Sequence, residues 1–161
     1  MIKVLSRLFG RGEPVLSEAT RRDSAAMAAL HAVSFRRGWS DGEFERLLAD
    51  RAVVAHRAML GRALAGFIIS RMAAGEAEIL SVAVAASSRG RGLAGAILHL
   101  HLRRLAGLGT RSVFLEVDEN NVPACRLYSN AGFHEVARRA GYYRDAAGPD
   151  STALVLRRDL A

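Results

Sequence analysis

The chain has 161 residues, of which 50% are apolar and 24% charged, enough for one compact domain with its own core and incompatible with a wholly disordered chain. The net charge is +7, and Lys3 is the only lysine among 23 basic residues. Arginine suits phosphate because its planar fork donates in pairs, so nucleic acid, a ribosomal setting or a phosphate-rich cofactor are candidate partners. The arginines are scattered, however, and the competing reading is compositional bias on a solvated surface.

Residues 1–13 read as a basic, amphipathic leader, and residues 14–161 as a single domain. Lys3, Arg7, Arg11 and Glu13 interrupt the start, which lacks the apolar run of a signal peptide. Val15–Glu18 opens a sheet. Ser24–Phe35 carries apolar residues at helical spacing, with Asp23 or Ser24 as N-cap. After Gly38, Ser40 caps a short helix containing Phe44, Leu47 and Leu48. Ala52–Arg57 and Leu64–Arg71 read as strands joined near Gly61 and Arg62. In Glu76–Val84, strict alternation sets Glu76, Glu78, Leu80, Val82 and Val84 on one face and Ile79, Ser81 and Ala83 on the other.

A glycine-rich loop follows, then a helix from Leu93 to about Leu105 that stops at Gly107 and Gly109. Ser112–Asp118 is a strand with Phe114, Glu116 and Asp118 on one face. Asn121 and Pro123 start a helix that ends at Gly132, and Phe133–Ala137 and Ala153–Arg157 close the sheet. The order β-α-α-β-β-β-α-β-α-β-β is too irregular for a doubly wound fold. It predicts a mixed α/β (α+β) domain with helices on both faces of the sheet.

No apolar run reaches the ~18–20 residues of a membrane span. The single cysteine, Cys125, excludes an internal disulfide and a thiolate-rich zinc site, and a reducing cytoplasm is the expected setting. No metal site is expected, because His31 and His134 have no partners at metal spacing. His101 falls on the apolar face of its helix as a core histidine, and His99 points to solvent.

The loop Arg89-Gly90-Arg91-Gly92-Leu93-Ala94-Gly95 joins a strand to a helix. Its small residues let a ligand approach the backbone, the free N–H groups of the helix start attract anions, and two arginines add charge. It is neither a Walker loop nor a dinucleotide-binding fingerprint, and a plain flexible turn is the competing reading.

Four stretches in order sharpen this. The segment R-x-x-G-x-A after Val82-Ala83-Val84 resembles the acetyl-CoA-binding motif of GNAT-family N-acetyltransferases. Phe114–Phe133 is similar to the second half of that fold, with its N-x-x-A-x-x-L-Y-x-x-x-G-F signature. His31–Phe44 and the C-terminal stretch 138–160, with its R-x-x-Y-Y pattern at Arg139–Tyr143, are similar to the RimI-type subfamily, which acetylates the N-terminal alanine of a small-subunit ribosomal protein. The likeness covers about residues 14–160. Gly38 replaces a common proline, and Ala94 replaces a frequent glycine.

The resemblance implies a GNAT fold, with a central, mostly antiparallel mixed sheet of about seven strands and about four helices. It implies acetyl-CoA held by the backbone of Val82, Ala83 and Val84, by the loop from Arg89 through Gly95, and by Asn121. The competing role for Asn121 is a helix N-cap. Glu116 is the implied general base, against an edge carboxylate paired with an arginine such as Arg111; Tyr128, twelve residues on, is the implied general acid. Glu78 is the alternative base. Trp39, Ser40, Tyr142 and Tyr143 are candidates to line an acceptor channel, or simply to anchor loops. The implied acceptor is a peptide N-terminus on a ribosomal small-subunit protein, without nucleic-acid or membrane contact, and with the enzyme a monomer or weak dimer. A small-molecule amine acceptor and a non-catalytic acyl-CoA-binding module are the alternatives.

Overall fold

The computed structural model describes residues 12–143 and 151–160. Seven strands form one sheet in the order β1-β2-β3-β4-β5-β7-β6. They are β1 (Val15–Glu18), β2 (Val53–Leu60), β3 (Ala63–Ala73), β4 (Glu76–Val84), β5 (Ser112–Asp118), β6 (His134–Tyr143) and β7 (Ser151–Asp159). Four helices, α1 (Ser24–Ser34), α2 (Asp41–Ala49), α3 (Leu93–Gly107) and α4 (Val122–Asn130), occupy the predicted places in the chain. Strand ends differ most: β6 runs six residues past the expected Ala137, to Tyr143.

Local chemistry explains the helix starts. Ser40 and Glu43 form a reciprocal capping box at α2, with Ser40 Oγ 3.1 Å from the Glu43 N–H. At α1, Asp23 holds the N-cap position without capping through its side chain. Its carboxylate instead accepts from the Thr20 N–H and pairs with Arg57.

The sheet separates two cores. Ile97, Leu98 and Leu105 of α3 are fully buried against Ile68, Val113 and Leu115, with α4 residues beside them. On the other face, Met27 of α1 and Phe44 of α2 pack on Phe67, Ile69 and Ala83. Burying each such side chain stabilises the fold by about 1.5–3 kcal/mol.

Two departures from regular pairing shape the middle of the sheet. The β3–β4 register jumps between Ile69↔Ser81 and Ser70↔Ile79, so Leu80 is an extra residue on β4. The expected clean alternation is therefore wrong. Ala77 and Ile79 join Val82 and Val84 on the α3 face, whereas Leu80 and Ala83 pack toward α1 and α2. Glu76 and Glu78 thus lie on the face opposite Val82.

The second departure is the only parallel pairing among the described strands. β4 and β5 pair only at Glu76↔Ser112, Ala77↔Val113 and Glu78↔Phe114, then part. Beyond Glu78, one edge of β4 has no strand beside it.

Candidate active site

The parting of β4 and β5 opens into a cleft of about 1070 Å³ on the α3–α4 side. Val82, Ala83 and Val84 form one wall and the glycine loop another, with Asn121 and Tyr128 across from them. The Ala85 N–H donates to the Ala65 carbonyl of β3. Alternation along the strand then turns the backbone groups of Val82 and Val84 to the opposite, open edge. Their side chains pack into the core, so the same residues serve both structure and cleft.

The loop provides an anion cradle. Gly90 and Gly92 have φ of 75° and 77°, the left-handed region that glycine enters without a Cβ clash. Ala96 makes the first helical bond, to the Gly92 carbonyl, which leaves the N–H groups of Leu93, Ala94 and Gly95 without intrahelical acceptors. No acidic side chain occupies the first turn of α3 to compete for them. Arg89 lines the cleft and donates Nε to the Val84 carbonyl at 3.0 Å, fastening the loop to the strand. Arg91 is exposed on the loop and stands apart from the cleft wall. This donor set fits a pyrophosphate with a narrow amide-bearing tail.

Asn121 meets both readings at once. Its Oδ1 caps α4, accepting from Ala124 N–H at 3.2 Å, and the residue also lines the cleft. Tyr128 is 8% exposed on α4, its ring edge-on to Phe133 at 5.7 Å. Burial first, and Cys125 second, push its phenol up to about 12, so it stays protonated at any working pH. Cys125 is half-buried, with its thiol also pushed up by burial, the opposite of an activated nucleophile.

Glu116 lies on β5 between Leu115 and Val117, both of which face α3, so its carboxylate emerges on the α1–α2 face. Its side chain is 29% exposed and pairs with an arginine, as the competing reading expects, though with Arg139 at 3.4 Å rather than Arg111. Arg111 instead ties β5 to its neighbours through its backbone, to Gly75 and Leu160. Glu78 shares a second cavity with Glu116, about 300 Å³ in volume. Glu116 and Tyr128 therefore line separate cavities, on opposite faces of the sheet.

Trp39 stacks on His31 with ring centroids 4.5 Å apart, and its backbone N–H donates to His31 Nδ1 at 3.1 Å. His31 is buried and contacts Phe35, Phe44 and Phe67 as well; burial holds its imidazole below its ordinary pKa. This cluster fixes the α1–α2 loop, a role the sequence reading did not give His31. The Ser40 hydroxyl is engaged in the capping box. Tyr142 and Tyr143 end β6, and their side chains lie outside the described residues.

Sequence reasoning missed Phe35, His99 and Arg158, all of which line the cleft. Arg158 Nη1 also holds the Ala131 carbonyl at 2.8 Å. These residues come from the C-cap of α1, from α3 and from β7, and only the fold brings them together. Among the described residues no group of three potential ligands could hold a metal ion, and no helix is long and apolar enough to cross a membrane.

Comparison with known proteins decides the family. Residues 24–133 match the Acetyltransferase (GNAT) family. The chain belongs to this family. The GNAT domain is 27% identical over 117 residues to the [ribosomal protein bS18]-alanine N-acetyltransferase of Escherichia coli K12, covering 73% of this chain and 78% of that one. The crystal structure of the E. coli ribosomal-protein-S18-alanine N-acetyltransferase superposes with a TM-score of 0.85 at 23% identity, over 92% of this chain and 94% of that one. Arabidopsis thaliana NAA60 in complex with acetyl-CoA superposes with a TM-score of 0.80 at 20% identity, over 91% and 98%. The mycothiol acetyltransferase of Parafrankia sp. is 42% identical over 71 residues, 44% of this chain. The chain spans only 22% of that relative's length. The GNAT acetyltransferase fold and an acyltransferase activity of the N-acetyltransferase class follow, with acetyl-CoA as donor.

Proposed function

We propose that this GNAT enzyme is a protein N-terminal acetyltransferase. Its acceptor is the α-amine of an N-terminal alanine on a ribosomal small-subunit protein, and the reaction is direct transfer in a ternary complex. It works in the cytoplasm as a monomer or weak dimer, without nucleic-acid or membrane contact. The observation that carries this reading is the parting of β4 and β5, with a buried tyrosine on one side and a carboxylate on the other.

Acetyl-CoA supplies the activated thioester. The loop from Arg89 through Gly95 holds its phosphates, and the freed edge of Val82–Val84, with Asn121, holds its amide-bearing arm. A backbone N–H at Val82 or Val84 stabilises the charge that develops on the thioester oxygen. Glu116 takes the proton from the acceptor amine; an α-ammonium has a pKa of about 7.7–8.0, so a carboxylate base, acting directly or through water, suffices near neutral pH. Tyr128, protonated and aimed into the cleft, gives its proton to the leaving thiolate. Trp39 and the Tyr142–Tyr143 segment flank the acceptor.

The short stretch at 42% identity to a mycothiol acetyltransferase favours a second reading, a small-molecule amine as acceptor. The test is acetyl transfer read by mass spectrometry with three acceptors: an Ala-starting ribosomal-protein peptide, an N-blocked lysine peptide and spermidine. One added acetyl group on the free alanine terminus alone is the expected result. Transfer confined to spermidine contradicts the N-terminal reading, and no transfer at all favours the non-catalytic module.

A further inference from the structure

The cavity beside Glu116 does not end at Glu78 and Glu116. Arg71 of β3 lines it, and Arg71 also lines a third cavity of about 410 Å³, beneath α2. The two cavities therefore share a wall and together run across the α1–α2 face of the sheet. Trp39 stands in the farther one, its ring already fixed by His31.

Arg71 is placed by register. Its neighbour Ser70 points the other way, to His101 of α3, with Oγ 2.6 Å from Nε2. Arg71 therefore faces the same side as Glu78, its partner across β3–β4, and Glu116. Arg71 is exposed, and no hydrogen bond or ion pair to its side chain occurs among the described residues, even with Glu78 directly opposite. Its five donors are left for a ligand.

Distance sets what that ligand is. Arg71 pairs with Glu78, and Glu78 with Phe114, two residues before Glu116. Two strand spacings across and two residues along put Arg71 about 12 Å from Glu116, roughly three to four residues of extended chain. The far cavity offers Glu43 and Asp50 against Arg46 and Arg71, a balanced set that favours neither sign of charge. Both acids already accept backbone N–H bonds, at Ser40 and Ala52. Such a wall suits neutral carbonyl oxygens better than a charged side chain.

We infer that Arg71 is an acceptor-binding residue that reads the main-chain carbonyls of the acceptor beyond its first residue, and that the cavity beneath α2 takes this following segment. The inference rests on the N-terminal acetyltransferase reading above and adds a preference for length. An acceptor of five or six residues reaches Arg71; a single aminoacyl amide does not.

The experiment is steady-state kinetics of the full chain and of Arg71→Met and Arg71→Lys, with an Ala-starting hexapeptide and with alaninamide, beside thermal unfolding of each protein. Arg71→Met raises KM for the hexapeptide about tenfold or more, the worth of a charge-assisted hydrogen bond, while kcat, the kinetics on alaninamide and the unfolding temperature are unchanged. Arg71→Lys recovers part of the loss. An unchanged hexapeptide KM, or an equal loss on alaninamide, overturns the inference while leaving the N-terminal reading in place. A wild-type protein that acetylates neither acceptor overturns that reading, and the inference falls with it.

Discussion

His101 is the residue whose chemistry most exceeds its sequence pattern. Helical spacing places it on the apolar face of α3, and it is indeed fully buried. What spacing cannot reveal is its partners, because His56 lies 45 positions earlier and Ser70 31 earlier. The two Nδ1 atoms sit 2.7 Å apart, which requires one proton between them and suits two neutral rings. Burial first, and His56 second, bring His101 down from 6.5 to about 3. Burial also lowers His56. The folded state thus binds fewer protons than the unfolded chain between these values. For His101, stability is full above pH 6.5 and declines as pH falls from there toward 3, by up to about 1.4 kcal/mol per pH unit, and His56 acts in the same direction. Urea unfolding at pH 7.5, 6.0 and 5.0 measures this slope; a flat profile means that the pair takes up protons without cost. Glu116 and Tyr128 are more legible because their twelve-residue spacing is local to one strand and the next helix. The partner of Glu116 is not: Arg139 reaches it from β6, through β7, by topology alone.

At the scale of elements, β3 and β4 carry the consequences of two small features. Leu80 is an extra residue that reverses which side chains of β4 meet α3. Alternation reads the same on either side of it, and the one hint in the sequence is that strict alternation sets the charged Glu76 and Glu78 on the face of Val82 and Val84, a mixture the extra residue resolves. Gly66 is the other feature. A Cβ there would meet the Ala83 carbonyl and Ile97 Cδ1, each at 3.0 Å. The absence of a side chain lets β3 lie close to β4 and α3 behind the cleft wall. Gly66→Ala is expected to cost about 1–3 kcal/mol by overpacking and to weaken acetyl-CoA binding, since Val84 is displaced with its neighbour. Calorimetry of the variant with and without acetyl-CoA checks both effects, and wild-type values for each would mean that the contact relaxes freely. Ser40 was readable as a cap because it follows the break at Gly38, whereas its reciprocal bond with Glu43 and the stack that fixes the preceding Trp39 emerge from the structure.

At the scale of the molecule, one topological event organises the rest. A sheet that is antiparallel elsewhere has a parallel pair at its centre, forced by the α3 crossover, and that pair holds for only three residues of each strand before parting. The parting frees a strand edge and opens the cleft beside the N-terminus of α3 on one face, with the Glu78 and Glu116 cavity on the other. Element order and the glycine loop were enough to place the cleft's inner wall in the sequence, because strand, loop and helix follow directly, whereas the parting itself is set by pairing that no local pattern marks. The cleft's outer wall and the groove toward α2 were not, because Phe35, Arg158 and Arg71 belong to elements far apart in the chain.

The central claim is that Tyr128 and Glu116 act on the reacting groups from the two sides of that parting. Single-turnover acetylation of an Ala-starting peptide by wild type, Tyr128→Phe and Glu116→Gln, with acetyl-CoA binding measured in parallel, tests it most directly. The account predicts unchanged acetyl-CoA binding in both variants, with transfer slowed about 10²–10³-fold in Tyr128→Phe and roughly tenfold or more in Glu116→Gln. Transfer at the wild-type rate in either variant would contradict it.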